Sequence, residues 1–463
     1  MSAFYIAAAH KSSGKTTLSI GLTAALRQAD KTIQTFKKGP DYIDPLWLSR
    51  ASGRPCQNLD FFTASTSHIQ QQFVTHSAGS DAILVEGNMG LFDGISVDGS
   101  DSNAAMARLL DLPVVLIVDC SGTSRGIAPL LLGYRQFDPK LRFAGVILNK
   151  VAGRRHESKL VEMVETYTDF DILGAVYRND DLRLTERHLG LIPSNELDDQ
   201  ADQLIERFAD VIRQSIDLEK ILNIPPLALP RQAAHATEPE KQANRLKIGI
   251  AMDEAFGFYY PSDLQRFSEL GVEIVPFSAI HDSALPGDLD GLFIGGGFPE
   301  SLATQLSANT SMRHAIADAI RAGLPTYAEC GGLMYLCQEL ENGDGIFPQC
   351  GVIPAQVRMN KRPQGRGYVV LQASSLHPWQ AARSVEPPLI QAHEFHYSSL
   401  HGLPDDTRFA YSVQRGTGID GSNDGIMLYN LLASYAHLRS TDRCSWVDDF
   451  VSFIESQKSS APS

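Results

Sequence analysis

The stretch "FYIAAAHKSSGKTTLSIGLTAAL", residues 4–26, decides the fold of the N-terminal half of the chain. It begins with an apolar run typical of a buried strand and ends with the apolar spacing of a helix. Between them, Gly14, Lys15 and Thr16 stand as in a phosphate-binding loop, where backbone N–H groups and the lysine bind phosphates and the threonine hydroxyl binds Mg²⁺. Ala9 stands where the usual motif has its first glycine, so a serine-rich helix cap is the alternative interpretation.

Short apolar runs alternate with helical segments along the rest of the chain. In the N-terminal half the runs are TIQTFKK (32–38), DAILVEG (81–87), PVVLIVD (113–119) and FAGVILNK (143–150). In the C-terminal half they are LKIGIAMD (246–253), VEIVPFS (272–278), GLFIGGG (291–297) and LPTYAEC (324–330). Continuous apolar runs separated by helices are typical of parallel strands covered on both faces, so the sequence predicts an α/β fold.

The domain boundaries follow from one segment without periodicity. Residues 223–245 are rich in proline, alanine and charge, which is typical of an interdomain linker. We therefore predict a first domain over residues 1–222 and a second over 246–452. The polar residues 453–463 are predicted to form a disordered tail.

Composition and charge exclude several classes of protein. The 463 residues are 43% hydrophobic and 20% charged, as in globular proteins, and contain no apolar run of the length that spans a membrane. The six cysteines are scattered without a C-x-x-C pair, which disfavours disulfide frameworks and zinc sites and favours the reducing cytoplasm. We see no signal peptide. A net charge of −14 disfavours nucleic acid or a membrane surface as partner.

Polar residues at strand ends extend the predicted phosphate site. Glu86 ends the run 81–87, at the edge where ligands of parallel sheets bind. Asp41 follows another run, where a cap or turn role is equally consistent, and Lys37 supplies positive charge beside it. Asn149 ends a later strand; its amide suits an adenine edge, and a turn residue is the alternative.

A second reactive site is predicted around "LPTYAECGGLMYL", residues 324–336. The pattern indicates a strand, a sharp turn and a helix, with Cys330 exposed at the turn as a nucleophile. A helix N-terminus and a nearby histidine favour a thiolate, and His437 follows a strand-like run in the same domain. Gly296 and Gly297 provide a tight turn whose N–H groups suit an oxyanion hole. A buried strand cysteine is the alternative for Cys330.

Several motifs together carry a family resemblance. They are FKKGPDYIDP, EGNMGLFDG, ERHLGLIPSNE, FYYPSDLQ, IGGGFPESLA, YAECGGLMYL and HEFHYS. In this order, with motifs running from residue 7 to residue 437, the chain resembles the cobyrinic acid a,c-diamide synthase family, which comprises glutamine-dependent amidotransferases that act on tetrapyrrole carboxylates. The resemblance implies a P-loop domain similar to dethiobiotin synthetase, followed by a class I-like glutamine amidotransferase domain.

The resemblance also implies roles for individual residues. Cys330 would attack the glutamine carboxamide, and His437 would act as its base and then as its acid. The oxyanion hole would be formed at Gly296, Gly297 and Gly331. ATP would be bound by Gly14, Lys15, Thr16, Thr17 and Asn149, Mg²⁺ by Thr16, Asp41 and Glu86, and the acceptor by Lys37, Asp41, Tyr42 and Asp44. Two acetate side chains of the tetrapyrrole would be amidated through acyl phosphates, and the resemblance is compatible with a homodimer.

Departures from the family pattern leave the substrate open. Class I amidotransferases carry a glutamate two residues after the histidine, where this chain has Arg439; Asn88 and residues 364–368 also differ from the usual family residues. The macrocycle could therefore be sirohaem or another sirohydrochlorin derivative. Three competing hypotheses are a cobyric acid synthase, an enzyme using only free ammonia, and a nucleotide switch of the partitioning-ATPase kind; such switches usually have a lysine where His10 stands.

Overall fold

The structure is a computed structural model that describes residues 1–179, 182, 186–187, 190–197, 199–225, 246–379 and 389–460. It divides into two compact units. The first comprises residues 1–61 and 66–234, and the second comprises residues 62–65 and 235–463. Most of the predicted linker lies outside the described residues.

The first unit alternates strands and helices, as the apolar runs predict. Its strands are β1 (Ser2–Ala8), β2 (Ile33–Lys38), β3 (Gln57–Leu59), β4 (Ala82–Gly90), β5 (Val114–Asp119), β6 (Phe143–Val151), β7 (Ile172–Tyr177), β8 (Glu186–Arg187) and β9 (Gly190–Leu191). Its helices are α1 (Lys15–Gln28), α2 (Ile43–Ser52), α3 (Thr66–Ser77), α4 (Asn103–Leu109), α5 (Ile127–Phe137), α6 (Arg154–Tyr167), α7 (Asp199–Ser215) and α8 (Leu218–Leu222).

Seven of these strands form one parallel sheet in the order β3-β2-β4-β1-β5-β6-β7. The central strand β1 is buried along its whole length, which explains its continuous apolar sequence. Strand order reverses beside β1, where the loops after β1 and β4 meet at the carboxyl edge of the sheet. This is the position at which parallel sheets bind ligands.

The second unit begins with the same alternation and continues with antiparallel strands. Its strands are β10 (Lys247–Ala251), β11 (Phe256–Phe258), β12 (Glu273–Phe277), β13 (Gly291–Ile294), β14 (Gly296–Gly297), β15 (Thr326–Glu329), β16 (Cys337–Asn342), β17 (Gly345–Pro348), β18 (Ile353–Met359), β19 (Gly365–Ala373), β20 (Leu389–His396), β21 (Ser398–His401), β22 (Arg408–Arg415), β23 (Asn423–Leu428) and β24 (Leu431–Ser434). Its helices are α9 (Pro261–Glu269), α10 (Ala303–Ala308), α11 (Thr310–Arg321), α12 (Gly331–Leu336) and α13 (Trp446–Ser460).

A nine-stranded mixed sheet organises this unit, in the order β12-β10-β13-β15-β24-β23-β22-β19-β20. The first five strands are parallel, and β15 lies between β13 and β24. The remaining pairs are antiparallel. Because β15 is central, the turn that follows it lies between the chain segments that follow β13 and β24.

The expectation of a disordered tail from residue 453 is wrong as far as Ser460, which ends α13. The helix is held by an apolar stripe that is buried in the second unit, formed by Trp446, Val447, Phe450, Val451 and Ile454. This helical spacing continues into the predicted tail, and its burial outweighs the polar composition. Residues 461–463 lie outside the described part of the chain. No helix within that part is long and apolar enough to cross a membrane.

Candidate functional site

The loop between β1 and α1 has the geometry of a phosphate-binding loop. Ser12 and Gly14 adopt left-handed backbone conformations, with φ of 65° and 86°. A side chain on Gly14 would also collide with Asn149, since a Cβ there would lie 2.4 Å from Nδ2 of that residue. Helix α1 begins at Lys15, so its N-terminal N–H groups lie at the end of this loop.

Asn149 holds this loop in place. Its Nδ2 donates to the carbonyl oxygen of Ser13 at 2.7 Å, and its Oδ1 accepts from the backbone N–H of Lys150 at 2.9 Å. Both polar atoms of the amide are therefore engaged within the chain. The structure gives Asn149 a supporting contact with the phosphate loop, while its role toward an adenine edge stays a prediction.

Glu86, at the end of the buried part of β4, forms hydrogen bonds with three of the residues predicted to bind phosphate, metal or acceptor. Its Oε1 accepts from Nζ of Lys15 at 2.8 Å, from Nζ of Lys37 at 2.8 Å and from Oγ1 of Thr16 at 3.1 Å. Burial opposes ionisation of Glu86, but the charges and hydrogen bonds of the two lysines lower its pKa to about 2. The carboxylate is thus ionised at neutral pH.

Asp44 lies closer to this cluster than Asp41 does. The Oδ2 of Asp44 accepts from Oγ1 of Thr16 at 3.2 Å and also contacts Nζ of Lys37. The Oδ1 of Asp41 instead accepts from the backbone N–H groups of Ile43 and Asp44 at the start of α2, and its Oδ2 lies 3.9 Å from Lys37. The sequence placed Asp41 with the metal, whereas these contacts favour Asp44 beside Thr16. Tyr42 is the buried residue that precedes α2.

The cluster has the chemistry of a magnesium site. Buried Oε2 of Glu86 has no hydrogen-bond partner among the described residues. Mg²⁺ prefers one or two carboxylates together with phosphate oxygens and water, and Glu86, Asp44 and the Thr16 hydroxyl supply oxygen donors of that kind. The residues present therefore fit this cation.

A cavity of about 270 Å³ adjoins the phosphate loop. Its lining includes Gly14, Thr17, Asn149, Lys150, Tyr177 and Arg178. Gly14, Thr17 and Asn149 were predicted to bind nucleotide, whereas Tyr177 and Arg178 at the end of β7 were missed. Only their position at the carboxyl edge of the sheet would have indicated them.

The contacts of the two aspartates lead to a testable difference. We expect Asp44→Asn to raise the Mg²⁺ concentration needed for half-maximal ATP-dependent activity roughly tenfold or more, because a neutral amide is a weaker ligand for a hard cation. The measurement is a Mg²⁺ titration of steady-state ATP hydrolysis in the presence of the acceptor substrate.

Asp41→Asn is the matched control for this titration. The asparagine oxygen still accepts hydrogen bonds at the start of α2, so we expect the Mg²⁺ requirement to change less than about threefold. A larger shift for Asp41→Asn than for Asp44→Asn would restore Asp41 as the metal residue.

The second candidate site lies at the turn after β15. Cys330 has φ of 47° and precedes α12, as expected for a nucleophile at a strained strand-to-helix turn. Its backbone N–H donates to the carbonyl oxygen of Ser434 in β24 at 2.7 Å. The prediction that Cys330 is exposed is wrong, because only 6% of its surface is accessible. The carbonyl oxygen of Phe395 lies 3.9 Å from its Sγ.

Three predicted glycines surround this turn. A Cβ on Gly331 would lie 3.0 Å from the backbone nitrogen of Gly297, and one on Gly296 would lie 2.5 Å from Cε1 of His437. The absence of side chains therefore lets the backbone N–H groups, the turn and the imidazole approach one another. The structure thus places Gly331 beside Gly297, and Gly296 beside His437, next to the turn that carries Cys330.

His437 reaches the turn from the segment that follows β24. Its backbone pairs with His393, and it is buried to 3% exposure. Burial, together with the charge of His396, lowers the pKa of His437 to about 3, so the imidazole is neutral at pH 7 and one of its ring nitrogens has a lone pair. Burial and nearby carboxylates raise the pKa of Cys330 above its ordinary value, which means that the thiol needs such a base.

Sequence reasoning missed Glu329, the residue before the cysteine. Its Oε2 lies 3.4 Å from Nδ1 of His437. Arg439 occupies the place of the usual class I glutamate, and its guanidinium lies 5.3 Å from the centre of the Tyr260 ring.

Comparison with known proteins covers both units. Residues 5–192 match the model of a CobQ/CobB/MinD/ParA nucleotide binding domain, and residues 247–443 match that of a CobB/CobQ-like glutamine amidotransferase domain. The chain is 42% identical to the cobyrinate a,c-diamide synthase of Magnetococcus marinus, over 96% of this chain and 95% of the relative. The chain belongs to the cobyrinate a,c-diamide synthase family.

Further members support the same assignment. The synthase of Synechocystis sp. is 40% identical over 96% of this chain and 92% of its own length, and that of Syntrophotalea carbinolica is 38% identical over 98% of both. The predicted resemblance, the α/β fold class and the pairing of a nucleotide-binding domain with a glutamine amidotransferase domain are thus confirmed. The partitioning-ATPase hypothesis would account only for the N-terminal match.

Proposed function

We propose that this chain uses ATP and glutamine to amidate the a and c acetate carboxylates of cobyrinic acid. The observation that carries the proposal is the Cys330 turn, with His437 and the backbone of Gly296 and Gly297 against it, in a chain that also holds a phosphate loop. The names of the three relatives support cobyrinic acid as the acceptor. None of them mentions sirohaem.

The geometry of the second unit supports the following route for glutamine hydrolysis. His437 takes the thiol proton of Cys330, and the sulfur attacks the carboxamide carbon of glutamine. The N–H groups near Gly297 and Gly331 stabilise the oxyanion. His437 then protonates the leaving nitrogen, the C–N bond of the tetrahedral adduct breaks, and ammonia departs to leave a thioester on Cys330. Water hydrolyses this thioester to glutamate and restores the thiol.

The cluster in the first unit supports the following route for acceptor activation. A carboxylate is a poor electrophile, and conversion to an acyl phosphate gives its carbon a good leaving group. Lys15 and the N–H groups of the loop bind the phosphates of ATP, and Lys37 neutralises charge beside the reacting oxygens. Glu86, Asp44 and Thr16 would hold Mg²⁺, which supplies further charge neutralisation on the phosphates. Ammonia displaces phosphate and leaves the carboxamide.

The proposal is tested by a product assay. Purified protein is incubated with ATP, Mg²⁺ and glutamine, and with either cobyrinic acid or sirohaem, and the products are analysed by mass spectrometry. We expect two carboxyl groups of cobyrinic acid to become carboxamides, with formation of glutamate and ADP.

Omission of ATP is the control, because the phosphate loop then has no substrate. Amidation of sirohaem alone would overturn the proposed acceptor and would direct attention to Asn88 and residues 364–368. Amidation of neither macrocycle, with glutaminase activity intact, would overturn the acceptor class while leaving the cysteine site in place.

A further inference from the structure

Glu329 is placed to act on the imidazole of His437. It is the last residue of β15 and is 2% exposed. Its Oε2 lies 3.4 Å from Nδ1 of His437, and its Oε1 accepts from the hydroxyl of Tyr327 at 2.6 Å and from the backbone N–H of Leu438 at 2.8 Å. The bond to Leu438 fixes the chain directly after the histidine.

The glutamate that usually lies two residues after the histidine in class I amidotransferases is replaced in this chain. The residue two positions after His437 is the cation Arg439, buried to 3% exposure over the Tyr260 ring. A cation there cannot accept a proton from the imidazole. Glu329 instead supplies a carboxylate from the end of β15, directly before Cys330 and far from His437 in sequence.

We propose that Glu329 positions His437: its carboxylate accepts the proton on Nδ1, which leaves Nε2 with the lone pair that takes the thiol proton of Cys330. This inference rests on the glutaminase roles proposed for Cys330 and His437. No atom of Glu329 enters the product. Its effect is to fix the tautomer and to stabilise the imidazolium that forms when the thiol is deprotonated.

The ionisation of Glu329 gives this arrangement a pH dependence. Burial raises the pKa of Glu329 to about 8. Below that pH the carboxyl group is protonated and has no charge with which to stabilise the imidazolium, whereas above it the carboxylate does. Glutaminase kcat is therefore expected to rise with pH through about 8.

Other titratable groups near Glu329 could also contribute to a pH dependence of kcat. Those whose pKa is influenced by the charge of Glu329 are Tyr259, Asp263, Tyr327, Cys330, Tyr411 and Cys444. Burial raises the pKa of Asp263 to about 8 as well. Asp263 accepts from the backbone N–H of Ser440 and from the indole of Trp446. Because these contacts are not with His437, Asp263 is a control for assigning the pH dependence to Glu329.

The decisive variant is Glu329→Gln, which keeps the side-chain volume and an acceptor for Tyr327 and Leu438 but removes the carboxylate. We expect glutaminase kcat to fall roughly 100-fold or more, with KM for glutamine changing less than about threefold, and the rise through pH 8 to disappear. Ammonium-dependent amidation should stay at the wild-type level, which shows that the first unit is folded, while the nearly unchanged KM for glutamine shows that the second unit is folded.

Two further variants separate charge from packing. Asp263→Asn should keep the rise through pH 8, and Glu329→Asp, which keeps the charge, should retain that rise at reduced kcat. Wild-type kcat in Glu329→Gln, or loss of the pH dependence in Asp263→Asn alone, would overturn the role of Glu329. Glutamine hydrolysis by Cys330→Ala would instead contradict the proposed glutaminase site itself.

Discussion

Replacement of Cys330 by alanine is expected to lower glutamine-dependent amidation roughly 10⁴-fold or more, while ammonium-dependent amidation continues at the wild-type rate. In the proposed mechanism the thiol forms the thioester, and no second nucleophile is proposed for glutamine hydrolysis. Ammonium bypasses that step, because the acyl phosphate is proposed to form in the first unit. The measurement compares amide formation with glutamine and with ammonium chloride at saturating ATP.

Cys337 offers a matched control for this experiment. It lies at the start of β16, is fully buried, and donates from Sγ to the carbonyl oxygen of Leu333 at 3.4 Å. Cys337→Ala removes a thiol from the same region without touching the turn at Cys330, so glutaminase activity should persist. If a folded Cys330→Ala protein formed no amide from either glutamine or ammonium, the proposal that glutamine hydrolysis and acceptor activation belong to separate units would be contradicted.

Most parallel strands of both sheets were predictable from the sequence, with β3 and β7 as exceptions, whereas the antiparallel half of the second sheet was not. Strand β1 is buried on both faces and reads as an uninterrupted apolar run. Strand β19 alternates between buried and partly exposed residues and contains two glycines, so its apolar signal is diluted. Helix α13 was missed in part for a related reason, since its buried stripe is interrupted by polar residues.

The site residues likewise divide into those that the sequence predicts and those that only the structure shows. Lys15 and Cys330 belong to motifs whose spacing along the chain is itself the signal. The structure places Lys15 at the start of α1 and Cys330 at the turn after β15, although Cys330 is buried and not exposed. The contacts of Glu329 are different: its Oε1 bonds the N–H of Leu438, 109 positions away in sequence. Asp41 and Asp44 share one motif, and only the direction of their side chains separates a capping role from a place beside Thr16.

Lys15→Ala is expected to lower amidation roughly 10³-fold or more with either nitrogen source, while glutaminase activity remains measurable. Lys15 ends the phosphate loop, and its Nζ bonds the buried carboxylate of Glu86 at 2.8 Å. Burial lowers the pKa of Lys15 despite that carboxylate. Because phosphoryl transfer depends on positioning and charge neutralisation, loss of this ammonium group removes transition-state stabilisation that ammonium ions in solution cannot restore. The measurement is acceptor-dependent ADP formation and amide product with glutamine or ammonium.

A charge-matched control separates this effect from a general loss of positive potential. Lys11 is exposed in the same loop, so Lys11→Ala removes one charge at a distance from Glu86 and should change the rate less than about threefold. Unchanged amidation by Lys15→Ala would mean that the loop at Gly14 is not the ATP site. Equal losses in the two variants would show that the loop attracts phosphate through its overall charge, and the specific contact between Lys15 and the nucleotide would then have to be abandoned.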